Sequence, residues 1–461
     1  MKFVPLMRAA LLVSALAVIP SATAGLAAVD SRVNPEFDKL FHIYALIKAN
    51  YVDPVDDDKL LKGAIDGMLA SLDPHSNYLD GPSLQRLETM IDGNYSGLGL
   101  SVVEDDGAVK VISPFKGSPA EKAGIKAGDY ITHINGTLYY ERDLDEAVSK
   151  MRGPAGSTVK LTIYRPGRDE PFDVTVTRGV IELEPVTSEL KDDDVGYVSV
   201  NEFSRDVGRD VAKAVVSLKK EAALKGTAMV GLVLDLRSNP GGSLDEAVAL
   251  SDLFLDHGVI VSQRGRVASE NQFYRAETMF KGDALKGLPI IVLVDAGSAS
   301  ASEIVAGALQ DQHRAVIMGE RTFGKGSVQS FLPLDDTSAI KLTTARYYTP
   351  SGHSVQEGGI EPDIEVPQLS DPDARVRAEN AVRESDLRGH LVNEAALKDK
   401  DLETDKKNDP RFDVSAEQLE KEGIKDFQLH YAIATLQRTA GKPALAKASP
   451  KPAAQNAAKT N

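Results

Sequence analysis

The first part of the chain changes its hydrophobic period near residue 93. Before that point apolar residues recur at helical spacing, in one stretch at 37–47 and in another at 60–72. After it, short alternating stretches such as 159–164 are separated by glycine turns, and Asn135-Gly136 is a strong hairpin signal. The pattern predicts a helical N-terminal segment at 25–92, followed by a β-rich domain at 93–180.

The second half of the chain alternates between strand and helix patterns. Two continuous apolar runs, 230–234 and 290–294, are typical of strands that are buried on both faces. Each run leads into a turn rich in Gly and Ser and then into a helical pattern. This alternation predicts an α/β core at 181–370.

The C-terminal part is charged and helical before its composition changes. A packing face that includes Phe427, Ile433 and Leu436 predicts a helical region at 371–438. Beyond it, Ala, Lys and Pro dominate, and we expect a disordered tail at 439–461.

Charge and composition exclude several classes of function. The chain has 461 residues and a formal net charge of −15, and such an acidic surface repels the phosphate backbone of nucleic acids. It contains no cysteine, which removes disulfides, thiolate catalysis and cysteine–zinc sites together. We therefore expect no nucleic-acid partner, and no residue pattern points to a metal or a cofactor.

The N-terminus has the features of a secretory signal peptide at 1–24. Lys2 and Arg8 precede an apolar run at 9–19, and Ala22-Thr23-Ala24 offers the small-residue pattern that a signal peptidase needs. Cleavage near Ala24 would release the chain into the periplasm. The alternative is an uncleaved membrane anchor, although the apolar run is short for a bilayer span.

A serine-rich turn carries the densest chemical signal. The run Gly297-Ser298-Ala299-Ser300-Ala301-Ser302-Glu303 follows a predicted buried strand and precedes a predicted helix. A serine at this place is held on rigid elements, and the helix N-terminus offers amides to a developing negative charge. A small-residue helix cap is the alternative interpretation.

A lysine between two glycines follows Ser300 by 25 residues, in Phe323-Gly324-Lys325-Gly326. A serine nucleophile needs a base, and a lysine serves only where burial lowers its pKa toward neutrality. Gln329 lies four residues further and could orient the lysine amine. The alternatives are a lysine in a surface turn and a glutamine on a strand surface.

Two glycine-rich turns complete the candidate set. Gly241 and Gly242, in Asn239-Pro240-Gly241-Gly242, follow the other buried strand and could offer backbone amides to an oxyanion. An ordinary tight turn would have the same composition.

At the start of the β-rich domain, a loop before a strand could bind the terminal carboxylate of a peptide through its amides. That loop consists of Gly97, Leu98, Gly99 and Leu100.

Together these motifs resemble those of the C-terminal processing peptidases, the tail-specific family of serine peptidases, from about residue 34 to 366. The resemblance implies Ser300 as nucleophile, Lys325 as general base and Gln329 as its orienting partner. It implies an oxyanion hole formed by Ala301 and one of the two glycines. It also implies a crotonase-like α/β core with an inserted PDZ domain, and substrates that are proteins or peptides with accessible C-termini.

The sequence leaves alternative mechanisms, functions and partners open. A Ser–His–Asp triad would use His313 and Asp311, which follow on the same predicted helix. A PDZ-containing peptide-binding protein on an inactive core is a second class, and a crotonase-like acyl-CoA enzyme is a third. The terminal helical segments could mediate homo-oligomerisation, and the enzyme could act with an adaptor protein.

Overall fold

The computed structural model describes residues 35–440, with gaps at 82, 85–86, 88–93, 106, 116, 141–143, 169, 183, 277–278, 336, 372–380, 394–411 and 413. The predicted signal peptide at 1–24 and nearly all of the predicted tail at 439–461 lie outside the described residues. The chain divides into two compact units, residues 1–67 and 68–461.

The first unit is helical, as the spacing of apolar residues predicts. Helix α1 spans Pro35–Asn50, and helix α2, Asp57–Ala70, begins in this unit. The Tyr44 hydroxyl donates to Asp57 at 2.5 Å, and the Lys48 ammonium lies 2.7 Å from the same carboxylate. These contacts join the two helices within the unit.

The second unit contains the remaining elements. Its strands are β1 Asn77–Leu79, β2 Asn94–Gly97, β3 Leu100–Asp105, β4 Ala108–Pro114, β5 Tyr130–Ile134, β6 Thr137–Leu138, β7 Thr158–Tyr164, β8 Phe172–Thr177, β9 Gly179–Glu182, β10 Val186–Lys191, β11 Val195–Val200, β12 Gly231–Asp235, β13 Val259–Gly265, β14 Gln272–Arg275, β15 Ile290–Val294, β16 Val316–Gly319, β17 Ser327–Pro333, β18 Ala339–Tyr348 and β19 Ile364–Glu365. Its helices are α3 Pro119–Lys122, α4 Leu144–Met151, α5 Val207–Leu224, α6 Leu244–Asp252, α7 Ala301–Asp311, α8 Ala416–Lys421 and α9 Phe427–Thr439.

A β-rich domain is inserted into the α/β core. Strands β3, β4, β5, β7 and β8 form its antiparallel sheet in that order, and β2 pairs with β9 where the chain enters and leaves it. Strand β1, which precedes the insertion, pairs with β18, which follows it. The predicted α/β core with an inserted β-rich domain is therefore confirmed.

The central sheet of the core has the order β10-β11-β12-β15-β16-β19 and is parallel except for the β10–β11 pair. Alternate residues of its strands face two separate apolar layers. Leu234 and Val292 pack against helices α5, α6 and α7, whereas Val233 and Ile291 pack against α8 and α9. Because both faces are covered, the strands are continuously apolar, as predicted. The predicted packing face of α9 is also confirmed, since Leu436 is buried.

A second sheet carries the loop of Lys325. Strands β1, β18, β13 and β14 are neighbours in that order, and β17 also pairs with β18. Strand β17 begins at Ser327, two residues after Lys325. The position of this lysine therefore depends on pairing with β18.

Residues 73–79 depart from the prediction of a helical segment at 25–92. Helix α2 ends at Ala70, before Asp73-Pro74, and Asn77–Leu79 forms strand β1 against Ala339–Lys341 of β18. The partner strand lies more than 250 residues away in sequence. A short strand that depends on such a distant partner leaves no local period, and the sequence therefore did not reveal it.

The C-terminal helix α9 is fastened to the turn after β12 by ionic contacts. The Arg237 side chain, only 13% exposed, lies 2.6 Å from Asp235 and 2.7 Å from Asp426. Asp426 also caps α9 by accepting from the Leu429 amide at 3.1 Å. Burial would raise the pKa of Asp426, but hydrogen bonds and the charge of Arg237 hold it below its ordinary value.

We expect Asp426→Ala to lower the free energy of unfolding by about 2 kcal/mol, because it removes a helix cap and one partner of a buried guanidinium. Chemical denaturation of the full chain measures this change. Asp210→Ala is the matched control, since Asp210 forms an exposed pair with Lys213 on α5 and should change stability by less than about 0.5 kcal/mol. Equal effects of the two substitutions would contradict the expectation.

Candidate functional site

The serine-rich run forms the turn between β15 and α7, with Ser300 immediately before the helix. The hydroxyl of Ser298 donates to the Leu236 carbonyl at 2.8 Å, and that of Ser302 donates to the Asn239 carbonyl at 3.0 Å. Both side chains are fully buried. No carbonyl among the described residues accepts a hydrogen bond from the Ser300 hydroxyl, and Ser300 is partly exposed. Of the three serines, Ser300 is the one available for chemistry.

The backbone of Ser300 has a conformation that non-glycine residues rarely adopt, with φ 55° and ψ −109°. Such strain persists only where the surroundings impose it. Here the Ser300 amide donates to Glu303 at 2.7 Å. The residues that follow it begin α7.

The carboxylate of Glu303 joins the serine turn to the lysine loop. Its Oε2 accepts from the Ser300 amide at 2.7 Å and from the Lys325 amide at 3.0 Å. Its Oε1 accepts from the Thr322 hydroxyl at 2.6 Å and from the Gly324 amide at 2.7 Å. Glu303 is fully buried, and burial raises its pKa to about 7 although these four donors oppose the shift.

The lysine loop also contacts the serine turn through its backbone. The Phe323 amide donates to the Ser298 carbonyl at 3.0 Å. The two flanking glycines pack on other backbone: a Cβ at Gly324 would lie 2.7 Å from the Glu357 carbonyl oxygen, and one at Gly326 would lie 2.5 Å from the Gln356 nitrogen. Only glycine fits at both positions, which fixes the path of the chain around Lys325.

The ammonium of Lys325 donates to Gln329 Oε1 at 2.7 Å. The pKa of Lys325 is lowered to about 8, mainly by burial and also by the charge of Lys341. The carboxylates of Glu384, Glu303 and Asp73 act in the opposite direction. The balance leaves an amine with a substantial neutral fraction near neutral pH.

The glycine turn after β12 lies directly against Ser300. A Cβ at Gly241 would lie 2.8 Å from Ser300 Cβ and 3.0 Å from the Ala301 nitrogen. The fully buried Asn239 shapes the turn: its Oδ1 accepts from the Gly241 amide at 2.9 Å, and its carbonyl accepts from the Ala299 amide at 3.0 Å. No acceptor for the Gly242 amide occurs among the described residues.

In the β-rich domain, the loop Gly97-Leu98-Gly99-Leu100 connects β2 to β3. The carbonyls of Leu98 and Gly99 accept from the amides of Ala120 and Phe115, both at 2.9 Å. The Leu98 side chain is 3% exposed and belongs to the domain core, so it cannot contact a ligand directly. Within the described strands, β3 pairs only with β4 and leaves its other edge open.

The structure does not bring His313 to Ser300. His313 follows the C-terminal end of α7, whereas Ser300 precedes its start. A helix of 11 residues, about 16 Å long, separates them. Asp311 accepts from the Ser351 amide at 2.8 Å, which is a contact within the scaffold.

Sequence reasoning missed the residues that support Ser300 and Lys325. Glu303 carried a local signal, because an acidic residue three positions after a helix-capping serine is typical of a capping box. Asp73, Thr343 and Glu384, which surround Lys325 or its partner Gln329, carried none. They belong to segments that only the tertiary fold brings together.

Over the parts of the chain that the structure describes, no group of three or more His, Cys, Asp or Glu side chains is arranged to hold a metal ion. The helices in the same described parts include none that is both long and apolar enough to cross a membrane.

Comparison with known families finds three matching segments. The description "Peptidase family S41" matches residues 194–366, "PDZ domain" matches 111–165, and "Activating protease CtpB N-terminal domain" matches 19–82. The first match spans the serine turn, the lysine loop and the glycine turn.

Known proteins show the same likeness. The chain is 44% identical over 349 residues to a carboxy-terminal-processing protease of Bartonella bacilliformis, which covers 76% of this chain and 79% of that protein. It is 39% identical to the carboxy-terminal processing protease CtpA of Bacillus subtilis, over 72% of this chain and 69% of that protein. Among solved structures, the photosystem II D1 C-terminal processing protease is 31% identical, with a TM-score of 0.44 over 75% of this chain and 92% of that one.

We expect Glu303→Gln to lower the free energy of unfolding by about 2 kcal/mol, because an amide nitrogen would face two of the four buried donors. Denaturant titration measures the change. Glu221→Gln is the matched control, since Glu221 pairs with Lys225 on the exposed face of α5. A Glu303→Gln variant as stable as this control would show that the four hydrogen bonds do not depend on the carboxylate.

Proposed function

The chain belongs to the carboxy-terminal processing proteases of peptidase family S41 and carries a PDZ domain, and on this basis we propose that it is an exported serine endopeptidase with a Ser–Lys mechanism. Ser300 is the nucleophile, Lys325 the general base and Gln329 its orienting partner. Substrates are proteins or peptides with accessible C-termini. The mechanism needs no metal and no cofactor.

The observation that carries this proposal is the shared carboxylate of Glu303. One of its oxygen atoms accepts the amides of both Ser300 and Lys325. The nucleophile and the base are thereby anchored to one buried atom although 25 residues separate them. The Ser300 hydroxyl, which donates to no carbonyl among the described residues, and the lowered pKa of Lys325 support the same assignment.

In the first half of the reaction the neutral amine of Lys325 takes the proton of the Ser300 hydroxyl. The Ser300 oxygen bonds to the carbonyl carbon of the scissile peptide, and the π electron pair moves to the carbonyl oxygen. When this intermediate collapses, the carbon–nitrogen bond breaks and the Lys325 ammonium returns its proton to the leaving amine. An acyl-enzyme on Ser300 remains.

In the second half, water gives a proton to Lys325 and attacks the acyl carbon. Collapse of the second intermediate breaks the bond to the Ser300 oxygen, which recovers the proton from Lys325. The product leaves with a new C-terminal carboxylate. Lys325 thus exchanges one proton in each half of the cycle.

The oxyanion in both steps needs hydrogen-bond donors. Ala301 supplies the first amide at the N-terminus of α7, where the helix dipole also favours negative charge. The Gly242 amide is the second donor, because the Gly241 amide already donates to Asn239. Gly241 has a different role: because it lacks a Cβ, the turn can lie close to Ser300.

The PDZ domain captures the substrate tail. A peptide that pairs with the open edge of β3 would place its C-terminal carboxylate at the loop of Gly97, Leu98, Gly99 and Leu100. The backbone amides of this loop are the groups that bind it. Recognition therefore depends on a free carboxylate rather than on the whole substrate.

The N-terminal pattern supports a periplasmic location of the mature enzyme, after cleavage near Ala24. The terminal helical segments are suited to self-association or to binding an adaptor protein.

The alternative to a peptidase is a protein with an inactive core that only binds peptides, and it would need no available hydroxyl at Ser300.

We expect wild-type protein to cleave an unstructured test protein that has an apolar C-terminal tail, whereas Ser300→Ala and Lys325→Ala should each lose more than about 100-fold in kcat/KM. Gel analysis and mass spectrometry of the products measure cleavage. Amidation of the substrate tail should weaken cleavage, because it removes the carboxylate that the PDZ loop binds.

Ser330→Ala serves as a control for the serine substitution, since the Ser330 hydroxyl pairs with Thr344 at an exposed position. Equal cleavage by wild type and Ser300→Ala would contradict the assignment of the nucleophile. Retained activity in Lys325→Ala would instead contradict the assignment of the base.

The pH dependence should report the base. Because the pKa of Lys325 is lowered to about 8 and the neutral amine is the active form, kcat/KM should rise about tenfold per pH unit below pH 8 and level off above it. Initial rates between pH 6 and 10 measure this rising part of the pH–rate profile, its acidic limb. A limb near pH 6.5 would indicate a histidine base and contradict the proposal.

A further inference from the structure

Gln329 is itself held by a chain of directional hydrogen bonds that leads away from the lysine. Its amide nitrogen donates to the Thr343 hydroxyl of β18 at 3.3 Å and to the Ser327 hydroxyl at 2.9 Å. Thr343 in turn donates to the carboxylate of Asp73 at 3.0 Å. Asp73 lies before β1, and its side chain is almost completely buried.

The carboxylate at the end of this chain determines the direction of every bond in it. A carboxylate can only accept hydrogen bonds, so Thr343 donates to Asp73 and turns its lone pairs toward Gln329. Gln329 then presents its nitrogen to Thr343 and its Oε1 to Lys325. Because Oε1 draws an N–H of the lysine, the lone pair of the neutral amine is left to face another group.

Neighbouring residues hold Asp73 in this role. The Ser76 hydroxyl donates to Asp73 Oδ2 at 2.8 Å, and the His75 amide donates to Asp73 Oδ1 at 2.8 Å. The Thr343 amide also donates to the Ser76 oxygen at 3.1 Å. These contacts form where β1 begins its pairing with β18.

A second path starts from the same segment and ends at the loop of Lys325. The His75 ring nitrogen lies 2.8 Å from the carboxylate of Glu384, which is fully buried. Glu384 accepts from the Gln356 amide nitrogen at 3.0 Å, and Gln356 Oε1 accepts from the Gly326 amide at 3.1 Å. One path thus reaches the lysine side chain and the other reaches its loop.

We propose that Asp73-Pro74-His75-Ser76 is a positioning element for the base: through Thr343 and Gln329 it orients the Lys325 amine, and through Glu384 and Gln356 it holds the lysine loop. This inference rests on the proposed Ser–Lys mechanism and adds positioning residues that lie outside the α/β core in sequence. The segment before the PDZ domain therefore acts on the reaction through Lys325.

A positioning role and simple support of the fold differ in their effect on the pKa of Lys325. Among the described residues, the titratable groups that act on Lys325 are Lys341, Glu384, Glu303 and Asp73. Asp73 raises the pKa of Lys325, so its neutralisation lowers that pKa and moves the acidic limb of kcat/KM to lower pH. Neutralisation of Lys341, which lowers the pKa of Lys325, moves the limb to higher pH.

The first test uses the full chain and compares Thr343→Val with Thr344→Val. Both remove a hydroxyl from β18 with little change in shape, but Thr344 is exposed and pairs only with Ser330 at 2.7 Å among the described residues. We expect Thr343→Val to lose at least about tenfold in kcat with a KM changed less than twofold, because the base is misoriented after the substrate binds. Thr343→Ser should restore the rate, and Thr344→Val should match wild type.

The second test follows the acidic limb in Asp73→Asn and Lys341→Gln. Asparagine keeps the shape of Asp73 but can donate to Thr343, which would reverse the chain and turn the nitrogen of Gln329 toward Lys325. We expect a lower kcat and a limb displaced to lower pH for Asp73→Asn, and the opposite displacement for Lys341→Gln. The titration of the Lys325 amine by NMR of lysine-labelled protein gives the same pKa changes independently of activity.

Thermal unfolding confirms that each variant is folded, and Lys325→Ala separates the two levels of the proposal. If Lys325→Ala is inactive while Thr343→Val is as active as Thr344→Val, the positioning role is wrong and the Ser–Lys mechanism stands. If Lys325→Ala remains active, the mechanism is wrong. A limb and an amine pKa that are unchanged in Asp73→Asn would also overturn the positioning role.

Discussion

Four hydrogen bonds to one buried carboxylate hold the serine turn and the lysine loop together. Glu303 belongs to the first turn of α7, and it receives the amides of Ser300, Gly324 and Lys325 together with the Thr322 hydroxyl. Without an acceptor each of these buried donors would be unpaired, which costs about 1–3 kcal/mol for each group. The strained backbone of Ser300 persists because this contact imposes it.

Burial has opposite consequences for the two charged residues of the site. It raises the pKa of Glu303 to about 7 and lowers that of Lys325 to about 8, so both groups are easier to neutralise than in water. For Lys325 this is the condition for acting as a base. The same desolvation opposes folding, since a lysine that must lose its hydration destabilises the native state. The surrounding carboxylates limit the effect and keep the amine titratable near neutral pH.

The site depends on segments from both ends of the second unit. The turn that contains Gly241 follows β12 and is tied through Arg237 to Asp426 at the start of α9. The loop of Lys325 is bordered by Asp73, before β1, and by Glu384, far beyond β18. A PDZ domain is inserted between β1 and the core strands, so the chain leaves this region and returns to it. Pairing of β1 with β18 therefore couples the start of the unit to the sheet that carries the loop of Lys325.

The sequence by itself determined the local features. The continuous apolar runs predicted the buried strands of the core, the glycine turns predicted the inserted β-rich domain, and the helical spacing predicted α1, α2 and α9. The candidate residues Ser300, Lys325 and Gln329 were also predicted from the sequence, because they occupy short motifs with restrictive neighbours. Each of these features depends on residues that are close together in the chain.

Only the tertiary structure decided which groups surround that chemistry. Strand β1 was expected to be helical, since three residues that pair with a strand more than 250 residues away produce no local period. Only the fold distinguishes Ser300 from the other two serines of the turn. The hydroxyls of Ser298 and Ser302 donate to the carbonyls of Leu236 and Asn239. Asp73 lies in a segment that carries no recognisable motif. Its place beside Thr343 follows from sheet pairing and burial, and these are properties of the folded chain rather than of any stretch within it.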